Sequence, residues 1–359
     1  MNTSPIAALA ATGGAWRAVW HAFVRSRRGL LGLASLLLLT LVGILAPFLA
    51  NEHPIACHYD GEWHFPALVD TAQQVPFVAR VLEKGKPFRF KSFRFHESFD
   101  PERDWALPTL IPWGPLEWTD EEYAPPSTRH WLGTDAYGRD VLARLIHGTS
   151  VSMEIGFISM GIAAILGLLI GALAGYFGGW IDLLVSRVIE VVICFPVFFL
   201  VLAVLAWLPP RIENVMVVIG LTRWVSIARL TRGEFLRLRD VDYSVAARAL
   251  GAGAPRIIFR HILPHALAPA LVQVTFGVAT AILVESGLSW LGFGVQPPAP
   301  SWGNVLREGY EISGTTAHVL PAACAAIFVA VLSFNLVGDA LRDAVDPRTR
   351  EDDQRRMHG

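Results

Sequence analysis

The groups in this chain that can do chemistry sit in or beside apolar stretches. Glu190 and Glu285 each fall within or at the end of a long apolar run. An ionisable side chain in such a run marks a functional position by default, because its charge is expensive to bury. Arg187 stands three residues before Glu190, a spacing that brings two side chains together on one helix face. His261 and His265 stand four apart and could offer two imidazoles to a metal. No third ligand is placed beside them and Pro264 intervenes, so no metal site is expected. Ser289 lies in ESGLSWLG, which lacks the Gly-x-Ser-x-Gly of a hydrolase elbow. Lys91 is the one Lys followed by Ser or Thr, and Phe90 precedes it, so the Gly-Lys-Ser/Thr of a phosphate-binding loop is missing. The chain is therefore expected to hydrolyse no nucleotide and to bind no cofactor itself.

A second candidate is a shape rather than a reactive group. Residues 242–264 read DYSVAARALGAGAPRIIFRHILP. Ala246, Ala247, Ala249 and Leu250 favour a helix. Gly251 can take the left-handed conformation that stops one, and Pro255 suits the first position of the next. Arg248, Arg256, Arg260 and His261 make the segment basic. Two readings stand: an ordinary basic connection, or a compact helix–Gly–helix that docks into a soluble partner.

The elements that must hold these groups are membrane spans. The sequence of 359 residues is 53% hydrophobic, 17% charged and has a mean hydropathy of +0.44. Soluble domains carry about 25% charged residues. Net charge is −1, which gives no electrostatic case for nucleic acid. The first apolar run, 30–50, has about the 20 residues a span needs and exceeds a signal h-region. It follows a basic amphipathic segment, 16–29, and reads as a first transmembrane helix rather than a cleaved signal. Further runs are 155–177, 183–208, 214–230, 267–284 and 318–337. The run from Asn214 is weak, because Arg223 must snorkel or face the bundle interior and Arg229 must sit at its end. Arginines cluster before the first run, in the loop from 231 and in the tail, which puts both termini and that loop in the cytoplasm. Gly161, Gly167, Gly171 and Gly175 recur at small-xxx-small spacing; close helix approach and plain membrane glycine content both account for them. Cys194 and Cys324 read as packed thiols, and Cys57 lies in a loop without a disulfide partner.

The fold class expected is an all-α polytopic membrane protein of six helices with an insertion of mixed structure. Its parts are a basic segment 1–29, a first helix 30–50, an external subdomain 51–150, a five-helix core 151–340 that includes the loop 231–264, and a tail 341–359. The insertion holds FRFKSFRFH at 88–96, whose alternation predicts a strand with a bulge near Lys91 and Ser92. The insertion either caps the bundle or meets an external protein.

The segment 242–264 resembles the signature of importer-type ATP-binding cassette permeases. Ala246, Ala247, Gly251, His261 and Pro264 fit it, while Val245 stands where the pattern often has Glu. Residues 130–152, 224–243, 285–306 and 333–348 resemble the dipeptide/oligopeptide permeases of the DppC/OppC type. Residues 57–68, CHYDGEWHFPAL, resemble the Yej-type microcin C and oligopeptide permeases. This resemblance implies a type I importer permease in the bacterial inner membrane, with a second homologous permease, two ATPase subunits that bind ATP and Mg, and a periplasmic substrate-binding protein. It implies that Ala246, Ala247, Arg248, Gly251, Ala252, His261 and Pro264 couple the chain to the ATPase. It places Ser289, Gly292, Gly294, Pro297, Pro298, Ser301, Trp302, Gly303 and Asn304 in an external loop. Glu190 and Glu285 then either satisfy interfacial partners or line the path and meet a peptide amine. The rival reading is an ion-driven secondary transporter, which would need a midplane ion site and internal repeats; neither is clear in this sequence.

Overall fold

A computed structural model describes residues 14–59, 62–68 and 104–345. The segment 88–96 and the tail beyond Val345 lie outside them. The described chain is built of helices α1 (Gly14–Arg25), α2 (Arg27–Ile44), α3 (Ala46–Leu49), α4 (Val141–Phe177), α5 (Gly179–Ile193), α6 (Val197–Leu205), α7 (Ile212–Leu238), α8 (Asp242–Ala249), α9 (Ala254–Arg256), a π-helical turn (Ile257–Ile262), α10 (Leu263–Trp290), α11 (Trp302–Glu311) and α12 (Val319–Val345). Strands β1 (Ala56–Tyr59), β2 (Glu62–His64) and β3 (Trp105–Leu107) form an antiparallel sheet in the order β2-β1-β3. The chain divides into two compact units, one of residues 1–37, 155–284 and 329–359, the other of 38–154 and 285–328.

In the first unit, glycines bring α4 against α7. A Cβ at Gly167 would stand 2.6 Å from Ile227 Cβ, one at Gly171 2.5 Å from the Ala228 carbonyl, and one at Gly175 2.5 Å from Phe235 Cβ. Gly220 of α7 answers, with Ile162 Cβ and the Ser159 carbonyl 2.8 Å from where its Cβ would be. Gly161 faces open space and is no part of this seam. Small residues let helix backbones approach where lipid offers no hydrophobic drive. Below the seam, Phe235, Leu238, Ile257, Ile258, Ile262 and Ala266 make a buried cluster.

Among the described residues, α2, α4, the helix 254–290 and α12 are long and apolar enough to cross a membrane. The run 183–208 is not one straight span: α5 and α6 meet at 84°. Pro196 stands at the break, has no N–H to donate, and disfavours helix in Phe195 before it. The helix expected over 214–230 forms as α7, yet it falls short of the hydropathy of the other spans. Its Arg223 is half-buried with its Nε out of solvent, while Arg229 is exposed. Twelve of the 27 residues of α7 are instead buried. Two cysteines differ from expectation: Cys194, in the turn after α5, and Cys324, on α12, are exposed and not packed, while Cys57 is free and buried.

In the second unit, Cys57 turns inward from the sheet, and its thiol is pushed up to about 11 by burial and by Asp104. His58, Trp63 and Trp105 share a row on the other face, with Trp63 edge-on to both rings. Ala50, Ile111, Trp113 and Ala143 form a separate small core.

Candidate coupling surface

The loop after α7 is fixed from within before it can present anything outward. Ser244 is fully buried, and its hydroxyl donates to the Leu238 carbonyl at 2.8 Å, folding α8 back on the end of α7. Asp242 sits in the first turn of α8 and Arg248 in its last, each the sign that the helix dipole favours. Two bonds close the other end. The Ala252 N–H donates to the Ala247 carbonyl and the Gly251 N–H to the Arg248 carbonyl, both at 3.0 Å. This 6→1 and 5→2 pair is a Schellman motif, and it requires Gly251 at φ +84°. Nothing lies within 4 Å of a Cβ built there, so the dihedral alone demands glycine.

The next helix opens at Gly253, with Pro255 in its second position rather than its first. It widens over Ile257–Ile262 into a π turn, where the Leu263 N–H reaches the Ile258 carbonyl. Pro264 follows directly. Its ring cannot accept a regular α turn against the Arg260 carbonyl, and a π turn relieves that crowding.

The result sorts the expected coupling residues by side. Ala247 and Ala252 pack on the buried cluster around Phe235 and Ile257. Ala246, Arg248 and Gly251 face outward, and His261 and Pro264 are half-buried. Apolar side chains that sequence reasoning passed over project from the same loop: Leu250 is 88% exposed, Phe259 58% and Val245 48%. The sequence marks them only as apolar residues in an otherwise basic segment, which does not say that they are exposed. His265, a possible metal partner of His261, instead lies against the Tyr243 ring at 5.7 Å.

The two acidic candidates separate. Glu190 is exposed and accepts from Arg187 Nη1 at 2.5 Å, as their spacing predicted. Glu285 has no exposed surface. Its Oε1 accepts from Ser289 Oγ at 2.7 Å and Ser301 Oγ at 2.9 Å. Ser301 also caps α11, accepting from the Asn304 N–H, while Asn304 Oδ1 accepts from the Ser301 N–H.

A second network in the same unit went unread in the sequence. Asp135 accepts from Arg139 Nε at 2.8 Å and Arg144 Nη1 at 2.6 Å. Glu308 of α11 accepts from Arg139 Nη2 at 2.9 Å and from both terminal nitrogens of Arg144, Nη2 at 3.0 Å. Two arginines and two carboxylates thus tie the loop before α4 and the first turn of α4 to α11, with Asp135, Arg139 and Arg144 all buried.

Residues 167–351 match the family described as the binding-protein-dependent transport system inner membrane component. The chain belongs to that family. Residues 14–66 match the N-terminal transmembrane domain of oligopeptide transport permease C. The permease is 40% identical over 225 residues to the dipeptide transport system permease DppC of Alkalihalophilus pseudofirmus, covering 63% of this chain and 74% of the relative. It is 32% identical over 346 residues to the inner membrane transporter permease YejE of Escherichia coli, covering 92% and 96%. It is 32% identical over 360 residues to the peptidoglycan transport system permease YejE of Agrobacterium fabrum, covering 92% of each. The Yej-type relatives thus extend across the insertion, in keeping with the resemblance seen at 57–68. Membership makes the chain a membrane-spanning transport subunit that works with ATPase and substrate-binding partners, and not an ion-driven transporter.

Proposed function

We propose that this permease forms half of the path of a peptide importer and is driven through the loop 242–264. The observation that carries the reading is the Schellman turn at Gly251. It packs Ala247 and Ala252 inward and leaves Leu250 and Phe259 as exposed apolar knobs on a rigid base. We read these exposed apolar residues, carried on a fixed turn, as the docking surface. Two ATPase subunits, holding ATP and Mg, grip this loop and its counterpart on a second homologous permease. ATP binding closes the ATPase pair, and the docked loop moves the helices that follow it as rigid bodies.

A periplasmic binding protein delivers the substrate, a di- or oligopeptide or a peptide-like compound such as microcin C. The names of the relatives, which include dipeptide and peptidoglycan transport, support that class. The permease sits in the inner membrane with both termini and the coupling loop in the cytoplasm and residues 51–150 in the periplasm. The arginine distribution supports this orientation.

Reconstitution tests the reading. Proteoliposomes with the permease pair, ATPase subunits and binding protein should take up labelled peptide with ATP. The chain alone should hydrolyse no ATP. Uptake that persists without the ATPase subunits would overturn the reading. In a cysteine-free background, Arg256→Cys should resist an impermeant thiol reagent applied outside, and Glu122→Cys should react.

A further inference from the structure

Glu285 is fully buried at the centre of a hydrogen-bonded knot that gathers α10, α11 and the loop between them. Two of the serines around it have their proton directions fixed. Ser289 Oγ accepts from the Val295 N–H at 3.1 Å, so its own proton points to Glu285 Oε1. Ser301 Oγ accepts from the Asn304 N–H at 3.2 Å, so its proton points to the same oxygen. Ser286 is a third hydroxyl hydrogen-bonded to the carboxyl, and among the described residues no charged side chain interacts with it. The surrounding packing is tight. A Cβ at Gly303 would stand 2.7 Å from Ser286 Cα and Ser289 Cβ, and one at Gly294 2.1 Å from Ser289 Oγ. Trp302, also fully buried, is held by Ser152 Oγ at its N–H and by the Leu145 carbonyl at Nε1.

We propose that Glu285 carries a proton and serves as a neutral hydrogen-bond hub, a positioning residue that holds the loop 291–301 in place for transport. Hydroxyls alone do not offset the loss of water around a buried carboxylate, and such a group neutralises instead. Ser289 and Ser301 both donate to Oε1, which leaves Oε2 as the oxygen that carries the proton. A neutral hub explains why the sequence puts serines, rather than a lysine or arginine, at the contacting positions. An amide would serve as well: the carbonyl oxygen of a glutamine at 285 would take the place of Oε1. The part of this inference that concerns transport rests on the importer reading above.

Two measurements on the assembled complex separate the claims. The first is the infrared difference between wild type and Glu285→Gln at neutral pH. It should show loss of one protonated-carboxyl carbonyl band and no loss of carboxylate bands. A lost carboxylate band, with no protonated band lost, would overturn the neutral hub. The second is uptake. Glu285→Gln should stay within about twofold of wild type and Glu285→Ala should fall at least about tenfold, because truncation strands the buried serine hydroxyls. Uptake lost equally in both variants, with assembly intact, would overturn the positioning role. Absence of ATP-dependent uptake by wild type would fault the importer reading and leave the infrared result standing.

Discussion

The amide of Ala252 donates to the carbonyl of Ala247 across the Gly251 turn at 3.0 Å, and both alanine side chains press on the same buried cluster. That pair joins the end of α8 to the start of the next helix.

The turn makes a graded prediction at Gly251. With open space around its Cβ, a substituted side chain meets only the positive-φ penalty, about 1 kcal/mol for most residues. Asn, which tolerates this conformation, should retain co-purification with the ATPase and uptake. Gly251→Leu should weaken both. Gly251→Pro should abolish uptake, since it also removes the N–H bonded to Arg248. Membrane insertion should survive in all three. Equal uptake in the Asn, Leu and Pro variants would show that the turn transmits nothing.

The glycine seam predicts a sharp contrast within one helix. Gly171→Leu drives a side chain into the α7 backbone at Ala228, and overpacking of this kind costs about 1–3 kcal/mol. Gly161→Ala meets no atom and should gain a few tenths to about 1 kcal/mol from helix propensity. Thermal unfolding in detergent reads both. A lower melting temperature for Gly161→Ala than for Gly171→Leu would refute the α4–α7 contact.

How much of this was legible beforehand depends on range. The helix–Gly–helix at 242–264 was readable because Ala, Gly and Pro act on their own backbones within a few residues. The Arg187–Glu190 pair was readable for the same reason. The 84° turn at Pro196 had a local sign, but its size depends on packing. The partner of Arg144 is 164 residues away at Glu308, and no spacing rule reaches that far. Glu285 drew notice as an acid at a span's end, yet whether it opens to a path or closes on serines depends on the loop that folds back over it. The exposure of Leu250 could not be read either, since an apolar residue beside a Gly break is as often buried.

Cys57 yields a prediction in pH. Its thiol ordinarily titrates at 9.0 and is pushed up to about 11 in the folded chain. The folded state holds its proton more tightly, so any stability from this group is complete below 9.0 and lost as pH rises toward about 11. In detergent, a maleimide should label Cys194 and Cys324 first and Cys57 only on denaturation or at high pH. Rapid labelling of Cys57 at neutral pH would contradict its burial in the sheet.

The most direct test of the account is ATPase capture by Leu250→Asp. Leu250 is 88% exposed, so the change should leave folding and pairing with the second permease intact. If Leu250 docks in the ATPase, a charge there must be desolvated on binding. Retention of the ATPase on the purified permease should then fall at least about tenfold, equivalent to about 1.4 kcal/mol, and uptake should fall with it. Wild-type retention and uptake in Leu250→Asp would contradict the claim that the loop 242–264 is where energy enters the permease.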